Sequence, residues 1–284
     1  MNGLIIKVDG GLYTVESPVG ICICKARGVF RKRGISPCTG DSVEFEGDCI
    51  TEVLPRRNHL IRPPLANLDQ MVFVLSVTQP APNLLLLDRF LAVCLYKEIT
   101  PLLVFTKLDL GDAEPFAEKY RQAGFPVYNV DYEKPETVQT VYELLRGKVS
   151  AFTGNSGVGK STLLNAIDSN LQLETADISK KLGRGKHTTR VTSLYTLDHG
   201  GRVADTPGFS TFETDAYAQI APEELAGCFP EMREYLGECR YADCRHLKEP
   251  GCAVRSAVEE GAVSQSRYES YAAMMQEALN RKTY

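Results

Sequence analysis

The chain has 284 residues of ordinary globular composition, 43% apolar and 24% charged, and its formal net charge of -4 does not advertise a nucleic-acid binder. No run of 18 apolar residues occurs and Met1–Gly11 lacks the regions of a secretion signal, so a cytoplasmic protein of two or three domains is expected, with no membrane partner. The nine cysteines fit a reducing compartment, where clustered thiols suggest metal and scattered ones suggest core.

Residues 1–64 read as all-β. The runs Leu4–Val8, Leu12–Val15, Gly20–Cys24 and Ser42–Phe45 alternate or are β-branched, and Gly10-Gly11, Ser17-Pro18 and Gly40-Asp41 supply turns. A barrel of about five strands suits this spacing, an OB-fold first and an SH3-like barrel as the alternative. Two basic clusters punctuate it: Arg27, Arg31, Lys32 and Arg33, then Arg56, Arg57 and Arg62. Solvated loops explain such clusters at least as well as a polyanion site does. Cys22, Cys24, Cys38 and Cys49 read as small core residues, with a second metal site as the minority alternative. Pro63-Pro64 is expected to end the unit as a stiff linker.

Residues 65–212 alternate strand and helix. Strands are expected at Gln70–Val77, Pro101–Phe105, Val127–Val130, Lys148–Thr153, Ser193–Leu197 and Arg202–Ala204. Helices are expected at Asn83–Lys97, Glu114–Ala123, Thr137–Leu145 and Lys160–Ile167. The pattern implies a mainly parallel sheet covered on both faces.

Three motifs punctuate it. Thr106-Lys107-Leu108-Asp109 follows a buried strand, where Asp109 would accept hydrogen bonds from the ring N–H and amino group of guanine and Lys107 would pack on the ring. Thr106 stands where Asn is more usual, so a hydrogen bond bracing the phosphate loop is expected to be weaker. Gly154-Asn155-Ser156-Gly157-Val158-Gly159-Lys160-Ser161 fits G-x-x-x-x-G-K-[ST]. Its backbone N–H groups and the following helix N-terminus, reaching Thr162, suit phosphate; Lys160 adds charge at the β and γ phosphates and Ser161 a ligand for Mg²⁺. Asp205-Thr206-Pro207-Gly208 closes another strand, with Asp205 facing Mg²⁺ and Gly208 the γ phosphate.

Between these lies Gly185-Lys186-His187-Thr188-Thr189, a candidate switch loop. Thr189, or failing that Thr188, would join the Mg²⁺ shell. Phe209 follows Gly208 and cannot orient water, so slow unaided hydrolysis is expected. His187 is the internal candidate for positioning water.

Beyond residue 213 the segments are helical and polar, ending in an amphipathic stretch Ser264–Lys282. Cys239-x4-Cys244-x-His246-x5-Cys252 gathers three thiolates and one imidazole, a full tetrahedral shell for a structural Zn²⁺. Cys228 reads as core.

The base motif precedes the phosphate motif, the reverse of ordinary GTPases. In that order the chain resembles the circularly permuted GTPases of ribosome assembly, the small-subunit-dependent type. The resemblance also rests on Arg56–Pro63, Ala66–Gln70, Leu87–Leu91 and Gly185–Thr189, and it spans nearly the whole chain. It implies an N-terminal OB-fold (1–64), a permuted GTPase domain (65–212) and a C-terminal helical zinc domain (213–284). It also implies GTP and GDP as substrate and product, the small (30S) ribosomal subunit and its RNA as partner, and hydrolysis stimulated by that subunit during late maturation. A monomer is expected. A P-loop small-molecule kinase or ATPase, or a nucleotide-regulated RNA-binding module with incidental hydrolysis, are the alternatives. Because the chain leaves the GTPase core soon after Gly208, movement there is expected to pull on the C-terminal unit.

Overall fold

The computed structural model describes residues 1–32, 34–61, 63–78, 80–171, 192–205 and 220–281, with backbone alone at 29, 31 and 205. The N-terminal unit is a five-stranded barrel: β1 (Asn2–Asp9), β2 (Leu12–Ser17), β3 (Gly20–Ala26), β4 (Ser42–Glu46) and β5 (Cys49–Val53). It closes because β4 pairs with both β5 and β1. Alternation does the sorting. Ile5, Val15, Cys24, Val43, Phe45 and Ile50 point inward with no exposed surface, while Ile21 and Ile23 face out. Cys24 lies in this core and Cys22 packs against it, as expected of small core thiols.

Beyond the barrel, β6 (His59–Ile61) and β7 (Pro64–Ala66) form a small hairpin, with Leu60 opposite Leu65. Here the stiff-linker expectation fails. Pro63 sits in the hairpin's turn, Pro64 opens its second strand, and Leu60 and Leu65 are buried in the main core. Proline is tolerated there because Pro64 is the first residue of its strand.

The second arginine cluster is also not a free basic surface. Arg56 grips the fully buried Asp41 through two bonds of 2.6 and 2.8 Å and reaches the Ser36 carbonyl at 2.7 Å. Arg57 pairs with Asp69 at 2.7 Å and donates to the Leu68 carbonyl at 3.0 Å. Arg62, like Arg33 of the first cluster, lies outside the described residues. Lys25, Arg27 and Lys32 remain exposed.

The α/β unit comprises β8 (Gln70–Ser76), α1 (Leu84–Tyr96), β9 (Thr100–Thr106), α2 (Glu114–Gln122), β10 (Val127–Asn129), α3 (Pro135–Leu144), β11 (Val149–Thr153), α4 (Lys160–Ile167), β12 (Ser193–Thr196) and β13 (Arg202–Asp205). The sheet order is β10-β9-β8-β11-β13-β12, all parallel except β12. Every residue of the central β8 is buried, as a strand covered on both faces requires. Asn83 caps α1 by accepting from the Leu86 N–H at 3.1 Å. Strand β12 also pairs with β1, Lys7 opposite Ser193, so barrel and α/β sheet form one continuous 11-stranded sheet. The Thr39 hydroxyl donates to the Thr192 carbonyl at 2.9 Å beside that junction.

The C-terminal unit starts with short helical turns at Pro222–Leu225, Ala226–Cys228 and Pro230–Tyr235, followed by α5 (Ala253–Glu259) and α6 (Gln265–Asn280). Helix α6 packs on α1 around a buried charge cluster. Arg267 is 1% exposed and lies 2.7 Å from Asp88 of α1 and 2.7 Å from Glu231. Tyr120 of α2 donates to Asp88 at 2.9 Å, and the guanidinium sits 4.7 Å from the centre of the Phe229 ring. Burial by itself would lower the Arg267 pKa, yet the two carboxylates hold it above its ordinary value. Among the described residues no helix is long and apolar enough to cross a membrane.

Candidate nucleotide site and metal knuckle

The phosphate loop joins β11 to α4 at the carboxyl edge of the sheet, where open α/β folds take ligands. Its geometry depends on glycine, above all where the loop leaves β11 and where it enters α4. Gly154 has φ +154, and a Cβ there would come within 2.3 Å of the Val74 carbonyl oxygen on β8. Gly159 has φ +100 and hands the chain into α4. Asn155 is half-buried, Ser156 and Gly157 are exposed, and Val158 is anchored in the core on the α4 side. Lys160 Nζ reaches back across the loop to the Gly154 carbonyl at 3.3 Å. Ser161 is half-buried and Thr162 exposed, both in the first turn of the helix.

The base motif arrives at the same edge. Thr106 ends β9 with no exposed surface, and its hydroxyl lies 2.5 Å from the Val158 carbonyl oxygen and 3.3 Å from that of Leu75. The brace expected to weaken with threonine is therefore made, and it is short. Lys107 adopts a left-handed backbone (φ 56, ψ 44), an uncommon conformation for a side-chain-bearing residue. It turns the chain into a single 3-10 turn, Leu108–Leu110, that leaves Asp109 exposed. Thr106, Lys107 and Asp109 thus stand over the end of the sheet beside Gly159, whose added Cβ would meet Thr106 Oγ1 at 3.4 Å.

Asp205 closes β13 next to β11, its backbone opposite Ser193. Gly185, Lys186, His187, Thr188 and Thr189, as well as Thr206, Pro207, Gly208 and Phe209, lie outside the described residues.

The C-terminal cysteines and histidine converge. Cys239 Sγ is 3.9 Å from Cys252 Sγ, and His246 Nδ1 is 3.4 Å from each. All four ligand atoms, Cys244 included, lie within 4.8 Å of one another. Tetrahedral Zn²⁺ requires about 3.8 Å between sulfurs and about 3.5 Å between sulfur and nitrogen, from its bond lengths. The donor set fits that ion. Without a cation, burial pushes the Cys244 thiol up to about 12 and holds the His246 imidazole below its ordinary value. Neutral imidazole is the ligand form, and a cation reverses the thiol shift.

Three side chains besides the four ligands hold this knuckle, two of them tyrosines whose helical spacing marks them only as the apolar face of α6. Glu249 accepts the backbone N–H groups of Arg245, Leu247 and Lys248 at 3.0, 2.9 and 2.9 Å. Tyr268 donates to the His246 carbonyl at 2.9 Å and Tyr271 to that of Arg245 at 3.0 Å, so α6 carries both the knuckle and the Arg267 cluster. Cys228 is buried and stands apart from the ligand group.

The profile of the RsgA GTPase family matches residues 53–215, and that of the RsgA N-terminal domain matches residues 2–52. The small ribosomal subunit biogenesis GTPase RsgA of Bacillus cereus is 43% identical, over 99% of this chain and 98% of that one. Its counterpart from a Geobacillus species is 45% identical over the same shares. Among solved structures, YjeQ from Thermotoga maritima superposes with a TM-score of 0.80 at 33% identity, covering 99% of both chains. YloQ, described as a circularly permuted GTPase, gives 0.77 at 37% identity, covering 100% of this chain and 96% of that one. These matches do not favour the kinase or the simple RNA-binding alternative.

Proposed function

The chain belongs to the RsgA GTPase family, and from that premise we propose that it hydrolyses GTP on the small ribosomal subunit during the subunit's late maturation. The observation carrying this is the meeting of Thr106–Asp109 with the phosphate loop through the Thr106–Val158 bond, in a chain whose relatives carry that subunit in their names. Residues 1–64, 65–212 and 213–284 are taken as barrel, GTPase and zinc units.

In this reading Gly154–Thr162 wrap the phosphates with backbone N–H groups, and Lys160 moves from the Gly154 carbonyl to the β and γ phosphates. Thr106, Lys107, Leu108 and Asp109 bind the base. Ser161, Thr189 and Asp205 would hold Mg²⁺, which supplies positive charge against the phosphates, and Gly208 would meet the γ phosphate. His187 would orient water, with Thr188 the second choice for the metal. Cys239, Cys244, His246 and Cys252 would hold a structural Zn²⁺ that stiffens a segment with little core of its own.

The exposed Lys25, Arg27 and Lys32 on the barrel are the available contacts for ribosomal RNA. Work on ribosomal subunits belongs in the cytoplasm, away from membranes, and one nucleotide site with one knuckle needs no second copy, so the acting species is taken as a monomer.

The test is GTP turnover by the full chain with and without small ribosomal subunits, at two salt concentrations. Subunits are expected to accelerate turnover, less so at higher salt. Turnover unchanged by subunits at both salts retires the reading. His187→Ala is expected to lower the stimulated rate; an unchanged rate removes His187 from the chemistry.

A further inference from the structure

We propose that the Tyr132 hydroxyl donates a hydrogen bond to N7 of the bound guanine, a contact for which Thr106 has no proton left. This rests on the base-site reading above. A hydroxyl carries one proton, where a carboxamide would carry two. That of Thr106 is engaged with the Val158 carbonyl 2.5 Å away. Asp109, an acceptor only, serves the donor edge of the base. The opposite edge of guanine carries the acceptors O6 and N7, which need donors. Of these, N7 lies in the five-membered ring, on the side of the sugar and phosphates and away from Asp109.

Tyr132 stands on that side. Strand β10 runs parallel to β9 with Asn129 opposite Phe105, and the Val130 N–H donates to the Phe105 carbonyl at 2.8 Å. The turn after β10 therefore lies next to Thr106 and Lys107. A Cβ at Gly159, the last loop residue before Lys160, would lie 3.4 Å from Thr106 Oγ1 and 3.9 Å from the Tyr132 hydroxyl. The phenol is thus at the phosphate end of the base site.

Its backbone is fixed in advance. The Thr137 hydroxyl accepts from the Asp131 N–H at 3.0 Å and lies 2.8 Å from the Lys134 carbonyl. Asp131 accepts from the Glu133 N–H at 3.0 Å and pairs with Lys134 at 3.2 Å. Among the described residues the Tyr132 hydroxyl itself has no hydrogen-bond partner. A phenol carries its proton at physiological pH, and burial pushes the Tyr132 pKa further up, to about 12. The residue is still 41% exposed, so a ligand can reach it.

The test compares GDP with 7-deaza-GDP, in which carbon replaces N7, by calorimetric binding to the full wild-type chain and to Tyr132→Phe. Wild type is expected to bind 7-deaza-GDP about three- to tenfold more weakly than GDP. The variant should lose the same factor for GDP and bind both nucleotides alike. Wild-type affinity of Tyr132→Phe for GDP, or a deaza penalty persisting in the variant, overturns the proposal. The phenyl ring is retained and no protein partner is lost, so folding is preserved, which a melting curve checks. Asp109→Asn tests the underlying reading separately, with preference expected to shift from GDP to xanthosine diphosphate. Persistent guanine preference there sinks the base site itself, whereas a normal shift alongside an inert Tyr132→Phe sinks only the N7 bond.

Discussion

Thr106 Oγ1 lies 2.5 Å from the Val158 carbonyl oxygen, joining the end of β9 to the loop between β11 and α4 across the intervening strand β8. The bond makes base recognition and phosphate geometry one mechanical unit. Thr106→Val keeps the shape and leaves a buried carbonyl without its donor, which costs about 1–3 kcal/mol. Urea unfolding should show that loss in the nucleotide-free protein, and GDP affinity should fall with it, because the loop must be ordered by the ligand. Thr106→Ser should behave as wild type in both measurements.

Arg267 is the counter-ion of two buried carboxylates, and Arg267→Met strands Asp88 and Glu231. Stranded buried charges cost about 3–5 kcal/mol. Denaturant titration should show that loss. Replacing all three residues with apolar side chains of similar volume should recover most of it. A triple variant no more stable than Arg267→Met would mean the cluster contributes more than charge balance.

Arg56→Met should destabilise the chain rather than weaken RNA binding, because its guanidinium is engaged with the buried Asp41. The expected loss is about 3 kcal/mol in denaturant titration. The salt dependence of subunit-stimulated turnover should be unchanged. Charge reversal at Arg27 or Lys32 should do the opposite, reducing that salt dependence with little effect on stability.

The knuckle should respond to acid in a defined window. Burial opposes ionisation of Glu249, but the backbone N–H bonds it accepts outweigh that and hold its pKa at about 2. The unfolded value is about 4.3. A depressed carboxylate contributes its full stability above the unfolded pKa and loses it as pH falls toward the folded one. The contribution should therefore disappear between about pH 4.3 and about pH 2. Glu249→Gln should remove about 1–2 kcal/mol at neutral pH, discounted for solvent screening, and flatten that part of the acid-unfolding curve.

Chelation should act on the same region from the metal side. Removing the proposed zinc is expected to lower the melting temperature and expose the Cys239, Cys244 and Cys252 thiols to a thiol reagent. GDP binding at the phosphate loop should persist, because no knuckle ligand belongs to that loop.

Much of this architecture is legible in the residues, because local pattern determines it. The β-branched alternation of β1 to β4 and the unbroken apolar run of β8 follow from periodicity, and the start of α4 follows from the phosphate-loop motif. The phosphate loop and the four knuckle ligands are legible too, since their spacing is short. Strand β5 was harder to see, since Thr51-Glu52 interrupts its apolar residues. What sequence reading missed is long-range. Nothing near Arg56 reveals Asp41, and nothing near Arg267 reveals Asp88, 179 residues away. The hydroxyl of Tyr132 gains meaning only when β10 is laid against β9. Charge clusters stay ambiguous in sequence for the same reason, because a run of arginines looks identical whether its partners are carboxylates of the same fold or an external polyanion.

The pairing of β12 with β1 gives the barrel a second task. It covers the Ser193 end of the outer strand of the α/β sheet, as an end plate closes part of an open row. A chain lacking residues 1–53 would present the backbone at Ser193 to solvent, and the surface around Thr192 with it. Such a fragment should self-associate by strand addition, and sedimentation should find dimers or larger species. The N-terminal unit is expected to shield part of the GTPase sheet's edge as well as to present a surface of its own, so a preparation lacking it should not represent the GTPase unit in isolation.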